Sequence, residues 1–227
     1  MTGPAVQTAL DDIAWPVRTE RLVLRTATPQ DAGPTWDFRR LEPVNRWLTR
    51  TPQNLAEYRE HFLDPESLAV TVVVELDGAV IGDLMLRVED AWTQAEVRGQ
   101  GRAVHAELGW ALHPDHTGRG YATEAVRELL RVCFHELGLR RVTASCFAAN
   151  EASWRLMERV GMRRELHAVR ESLHRSGDWL DVYGYALLAE EWDPTPTAHA
   201  GRADARRSRV PETAMFVAGG HVSVEGS

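Results

Sequence analysis

Two glycines separated by one residue, Gly118 and Gly120, interrupt residues 113–125 (HPDHTGRGYATEA) between an apolar run and a strongly amphipathic one. Without Cβ atoms the backbone can approach a ligand closely there. Successive N–H groups ending at a helix N-terminus also form a partly positive concavity suited to phosphate. Gly118, Arg119, Gly120, Tyr121, Ala122 and Thr123 are therefore the residues to hold an anion. A nucleotide-binding P-loop fits less well, because the turn lacks the Lys-Ser/Thr ending which that loop requires. Cys133 and Cys146 have neither CxxC nor Cys/His spacing, so the expectation is two reduced, buried thiols and no metal.

The elements that must position the turn follow from periodicity. Residues 21–26 (RLVLRT) read as a short strand, Pro29-Gln30-Asp31 opens a helical region reaching about Leu41, and residues 54–62 read as a second helix. The β-rich runs 69–76 and 79–88 are split by Asp77-Gly78, the strongest short hairpin signal, which predicts an antiparallel pair. Residues 89–103 are polar and irregular, and 105–112 resume as an apolar strand. After the glycine turn, Ala122, Ala125, Val126, Leu129, Leu130, Cys133 and Leu137 recur at three-and-four spacing, predicting a helix that Gly138 ends. Residues 141–147 read as a buried strand, 151–160 as a helix capped by Asn150 and stopped by Gly161, and 162–169 and 180–187 as two further strands. This order is α/β, with a mixed central sheet of six to seven strands flanked by helices. Periodicity fades past about residue 194, which divides the chain into an extension (1–17), one domain (18–193) and a flexible tail (194–227) with a weakly apolar patch, AMFVA.

Composition narrows the function. A chain of 227 residues that is 44% hydrophobic can build a real core, and a net charge of −7 argues against sequence-independent nucleic-acid binding. Neither a secretory leader nor a run of ~20 apolar residues is evident, so a cytoplasmic protein away from membranes is expected.

Several blocks stand in a fixed order: TERLVLR followed by Asp31-Ala32, then GRGYATEA, then LGLRRVTASCFAANEASWRLMERVGM, and a final strand, YGYALLAEEW. Over residues 18–192 they resemble the GNAT acetyltransferases, particularly the branch that acetylates ribosomal-protein alanines. The family's loop pattern, Gln or Arg, two residues, Gly, one residue, Gly or Ala, is met in full by residues 98–103 and fails at Thr117 in residues 117–122. Context favours the second segment, since a phosphate site needs a helix whose unpaired N–H groups it can use, and only there does one follow.

The resemblance implies an acetyl-CoA-dependent N-acetyltransferase in which the amine attacks directly within a ternary complex. It further implies that strands 105–112 and 141–147 splay to admit the CoA arm, with amides near Ala111 and Leu112 holding it and polarising the acetyl carbonyl. Gly109 is consistent with a bulge there. Asn150 serves as helix cap, as contact to the arm, or as both. Relatives that use a tyrosine seven residues after this asparagine have a thiolate acid where this chain has Met157. Ser153 is then either acid or thiol partner, or a packing serine. Glu107 is the best-placed base, against the plain reading of a solvated strand residue, and Asp181 and the histidines at 105, 113 and 116 are lesser ones. Trp36, Trp47, Tyr58 and Phe62 read as core, while Trp92 and Trp179 could line a cleft. The preferred acceptor is a protein N-terminal α-amino group. A small-molecule amine, including an antibiotic, and a non-catalytic acyl-CoA sensor are the alternatives, in a monomer or homodimer.

Overall fold

Asp77 and Gly78 form the expected hairpin turn, with φ of 51° and 82°, the pair of left-handed residues that matches the twist of the strands they join. The structure is a computed structural model and describes residues 9–193, so the segment 194–227 lies outside the described residues. Its strands are β1 (Val17–Arg18), β2 (Val23–Thr26), β3 (Thr71–Leu76), β4 (Ala79–Glu89), β5 (His105–Leu112), β6 (Arg141–Phe147), β7 (Arg163–Leu173) and β8 (Trp179–Leu188). They form one open sheet in the order β1-β2-β3-β4-β5-β6-β8-β7. The eighth strand, beyond those the pattern predicts, is β1, a two-residue partner of β2 too short to leave a period in sequence.

All neighbouring pairs are antiparallel except β5 and β6, which are parallel and joined only at His105↔Arg141, Ala106↔Val142 and Glu107↔Thr143. Both strands continue, to Leu112 and Phe147, so past these pairs they diverge and open a gap in the middle of the sheet. The walls of the gap are firmly backed, because β5 pairs with β4 along its whole length and β6 does the same with β8. The β4–β5 register runs unbroken through Met85↔Gly109, so the bulge expected at Gly109 is absent. An irregularity falls instead between Val74 and Glu75 of β3.

Helices α1 (Ala32–Arg39), α2 (Glu42–Asn45), α3 (Leu55–Phe62) and α4 (Pro65–Leu68) lie toward one face. Phe38, Val44 and Trp47 from this group pack on Ala111, Phe147 and Val182 of the sheet. Helices α5 (Tyr121–Arg131) and α6 (Glu151–Arg159) cover the other face, where Val126, Leu129, Leu130, Leu156 and Met157 meet Leu84, Leu86, Leu108 and Trp110. Burying each large side chain contributes about 2 kcal/mol, which is what makes the amphipathic run of α5 helical in this setting. A π-helical turn, Val132–Glu136, follows α5 before Gly138 turns the chain at φ 64°. Residues 9–17, read from sequence as an extension, bring Leu10 and Ile13 into the core. Cys133 and Cys146 are free and buried, and burial raises both thiol pKa values.

Candidate active site

The glycine turn delivers the chain to the N-terminus of α5. Gly118 and Gly120 have φ of 70° and 81°, left-handed values at which a side chain is strained. Gly120 is the N-cap of α5 and, as a glycine, brings no side chain of its own to the first turn. Open space surrounds the position where a Gly118 Cβ would stand, so the turn is a shallow cradle rather than a packed corner. Residues 118–123 thus fit a doubly charged phosphate group: backbone N–H groups at a helix start, with no Cβ at Gly118 or Gly120.

Arg21, at the start of the first sequence block, reaches this turn. Its Nη1 donates to the Arg119 carbonyl at 3.0 Å, its Nε to Glu124 Oε2 at 2.7 Å, and its guanidinium lies 4.6 Å from the Tyr121 ring centroid. Glu124 Oε1 also accepts from the Thr19 hydroxyl at 2.5 Å and the Arg21 amide at 2.9 Å. Burial opposes the Glu124 charge, but these hydrogen bonds outweigh it and hold the carboxyl below its ordinary value.

Backbone alternation decides which peptides face the gap. The His113 amide bonds to the Ile81 carbonyl at 2.7 Å, so the odd positions of β5, Ala111 among them, turn their peptides to β4. The carbonyl of Ala111 accordingly lies 2.6 Å from where a Gly82 Cβ would sit. Leu108, Trp110 and Leu112 turn theirs toward β6 and the gap. Of the two amides expected to hold the arm, that of Leu112 faces the gap and that of Ala111 faces β4, because a one-residue step reverses the side of the strand.

At the far wall, Asn150 caps α6 and accepts from the Ser153 amide, while its Nδ2 donates to Ser153 Oγ at 3.2 Å. Both residues are buried, each 2% exposed, as is Met157 one turn further on. A buried hydroxyl aligned by a buried amide is positioned more firmly than a surface serine would be.

Side chains of β5 alternate across the sheet, so Glu107 and Ala111 point to the α1–α4 face, opposite α5 and α6, and Gly109 leaves bare backbone between them. Glu107 sits at the vertex where β5 and β6 part, across from Arg87, whose Nη1 is 3.4 Å away. Burial, and then the nearby Glu89, push the Glu107 carboxyl up to about 7 against the opposing pull of Arg87. On the same face lies a cleft of about 1020 Å³ whose lining includes Arg39, Tyr58, Asp83, Met85, Arg87 and Gly109. Asp83 is 1% exposed and takes both oxygens to Arg39, at 2.6 and 2.7 Å. Tyr58 donates to the Thr35 hydroxyl at 2.9 Å, and burial pushes its phenol up to about 12.

Other readings resolve from their placement. Residues 98–101 lie in a 3-10 segment, Ala95–Gly101, which leads into β5 rather than a helix, so the segment that matches the written loop pattern better offers no helix N-terminus. Trp47, Tyr58 and Phe62 are buried and Trp36 partly so, as core residues should be. Trp92 and Trp179 stand 87% and 58% exposed and line no part of the cleft. Asp181 bonds His167 at 2.7 Å, which holds its carboxyl low, and it points to the sheet face opposite Glu107. His105 and His116 are both lowered, chiefly by burial. Arg21 and Arg87 were not singled out by sequence reasoning; the presence of Arg21 in the TERLVLR block was the available signal.

Comparison with known proteins agrees with this geometry. Residues 21–163 match the acetyltransferase (GNAT) domain family. A Bacillus subtilis protein named as an uncharacterized N-acetyltransferase, YnaD, is 39% identical over 178 residues, spanning 78% of this chain and 99% of its own. The structure of Mycobacterium smegmatis RimJ in complex with CoA-disulfide superposes with a TM-score of 0.60 at 25% identity, covering 75% of this chain and 83% of that one. Vibrio cholerae spermidine N-acetyltransferase, solved with CoA and spermine, shares the fold with a TM-score of 0.62 at 19% identity, over 76% of this chain and 98% of that one. Among the described residues no helix is long and apolar enough to cross a membrane, and no cluster of side chains is set to hold a metal. With a gapped central sheet, a glycine turn capping α5 and a family match across most of the domain, the chain belongs to the GNAT acetyltransferases and is an N-acetyltransferase that uses acetyl-CoA.

Proposed function

We propose that the acceptor is a protein N-terminal α-amino group, with residues 118–123 seating the CoA pyrophosphate, and Leu112 and Asn150 holding the arm in the gap. Glu107 acts as base on the acceptor face, and Ser153 acts as thiol partner on the α6 side. The observation that carries the choice of acceptor is Glu107 at the vertex of the gap with a carboxyl near 7. An α-amine of pKa about 8 gives its proton to such a base at a cost of about 1.4 kcal/mol, whereas a lysine near 10.4 would need about 5 kcal/mol. A base so tuned suits the weaker amine.

The division of faces supports an order of events. The amine approaches from the α1–α4 cleft and attacks the thioester carbonyl, whose oxygen gathers charge beside strand peptides aimed into the gap. The carbon–sulfur bond then breaks toward α6, where Ser153 meets the departing thiolate. A CoA thiol leaves readily near neutral pH, so a hydroxyl can stand where relatives use tyrosine.

A small-molecule amine is the second reading. A cleft of about 1020 Å³ is at the upper end of small-ligand pockets.

The test has two arms. Acetyl-CoA should raise the melting temperature while ATP should not, and equal shifts would overturn the CoA seat. Thiol release across N-terminal peptides, lysine peptides and small amines then identifies the acceptor; turnover confined to small amines would replace the first reading with the second.

A further inference from the structure

The TERLVLR block matches the family, yet nothing in the chemistry so far uses its first residues, and the structure brings them to the coenzyme seat. We propose that Arg21, steadied with Thr19, is a positioning residue for that seat: it ties down the Glu124 carboxylate so that α5 can receive a pyrophosphate. The inference rests on residues 118–123 being the pyrophosphate seat.

Glu124 is in the first turn of α5. A carboxylate there is favourable for the helix itself, since it complements the positive end of the dipole. The same carboxylate is unfavourable for an anion that must bind at that end, because it repels the ligand and competes for the same partial charge. The sequence thus holds a conflict between helix stability and phosphate binding.

Arg21 resolves it through geometry. Its Nε and Nη2 both engage Glu124 Oε2, at 2.7 and 2.6 Å, while Thr19 and the Arg21 amide occupy Oε1. Both oxygens of the carboxylate therefore accept two donors each from the segment between β1 and β2, and its charge is met at contact distance. Meanwhile Nη1 of the same guanidinium holds the Arg119 carbonyl at 3.0 Å, and the plane covers the Tyr121 ring. Arg119 and Tyr121 flank Gly120 and carry the peptides on either side of its left-handed bend. Arg21 Nη2 would stand 3.4 Å from a Gly120 Cβ, so the guanidinium also borders the cradle. One side chain, about a hundred positions away in sequence, neutralises the wrong charge and fixes the peptides that present the right one.

A purely structural tie between α5 and the segment joining β1 to β2 would have a different signature under mutation. Arg21→Ala should weaken CoA about tenfold, equivalent to ~1.4 kcal/mol, while competition by pantetheine, which lacks the pyrophosphate, stays unchanged. KM for acetyl-CoA should rise with kcat at saturation preserved. Adding Glu124→Gln to Arg21→Ala removes the exposed charge and should recover about threefold of the lost affinity. Glu124→Gln alone, which keeps Arg21 beside the seat, should bind CoA at least as tightly as the wild type and guards against a poorly folded Arg21→Ala. Binding is read by titration calorimetry on the full chain, with unfolding temperatures measured without ligand. Equal losses for CoA and pantetheine, or no recovery in the double variant, overturn the proposal. Wild-type protein that binds CoA no better than pantetheine would instead overturn the pyrophosphate seat itself.

Discussion

Replacing Glu107 by Gln should make the enzyme slower and more stable, with the gain in stability confined to neutral and alkaline pH. Burial and Glu89 move the Glu107 carboxyl from an ordinary 4.5 to about 7 in the fold, despite Arg87. The folded state therefore binds this proton more tightly than the unfolded chain does. Stability from that preference is complete below about pH 4.5 and is lost as pH rises through about 7. Two to three pH units correspond to about 3 kcal/mol, an upper bound because the side chain keeps 12% of its exposure. Glutamine mimics the protonated acid at every pH and carries no such loss. Urea unfolding of both proteins at pH 4.5 and pH 8 should show near-equal stability at the first and a Gln advantage approaching 3 kcal/mol at the second. The kinetic counterpart has the opposite sign. If both base and amine must be deprotonated, wild-type kcat/KM rises with a limiting log slope of two below pH 7 and one above it, and the Gln variant keeps only the slope of one. A stability difference that is the same at both pH values, or an unchanged slope, would refute the assignment.

Two further substitutions probe the coenzyme side. Gly120→Glu puts a side chain at φ 81°, against Arg21 and in the proposed pyrophosphate seat, and should abolish the thermal shift caused by acetyl-CoA. Ser153→Ala should lower kcat about tenfold with little change in acetyl-CoA affinity, and unchanged turnover would remove Ser153 from the reaction.

Local patterns made much of this molecule legible. Asp77-Gly78, the three-and-four spacing of α5 and Asn150 before α6 each encode their element within a few residues, and each forms as read. The choice between the two glycine segments also came from local context, the presence or absence of a following helix. What sequence could not supply depends on partners far along the chain. β1 exists only because β2 accepts it, and the direction of the Ala111 peptide depends on its register with Asp83. Arg21 meets Glu124 across a separation of 103 residues, so no window around either one contains the pair. The raised pKa of the Glu107 carboxyl likewise arises from burial and from Glu89 on the neighbouring strand, neither of which its own strand reveals.

The parting of β5 and β6 has a consequence for the apo protein as an object in solution. Sheets are normally vulnerable at their outer edges, where unpaired peptides can recruit foreign strands. This sheet carries a second such edge at its centre, framed by strands that are themselves well paired. An extended arm bearing amides, as pantetheine does, would close that inner edge much as an added strand does, given the CoA placement proposed above. Coenzyme occupancy would then protect the gap-facing amides of β5, and not those already bonded to β4, from hydrogen exchange, and the donor would complete the sheet as well as supply the acetyl group.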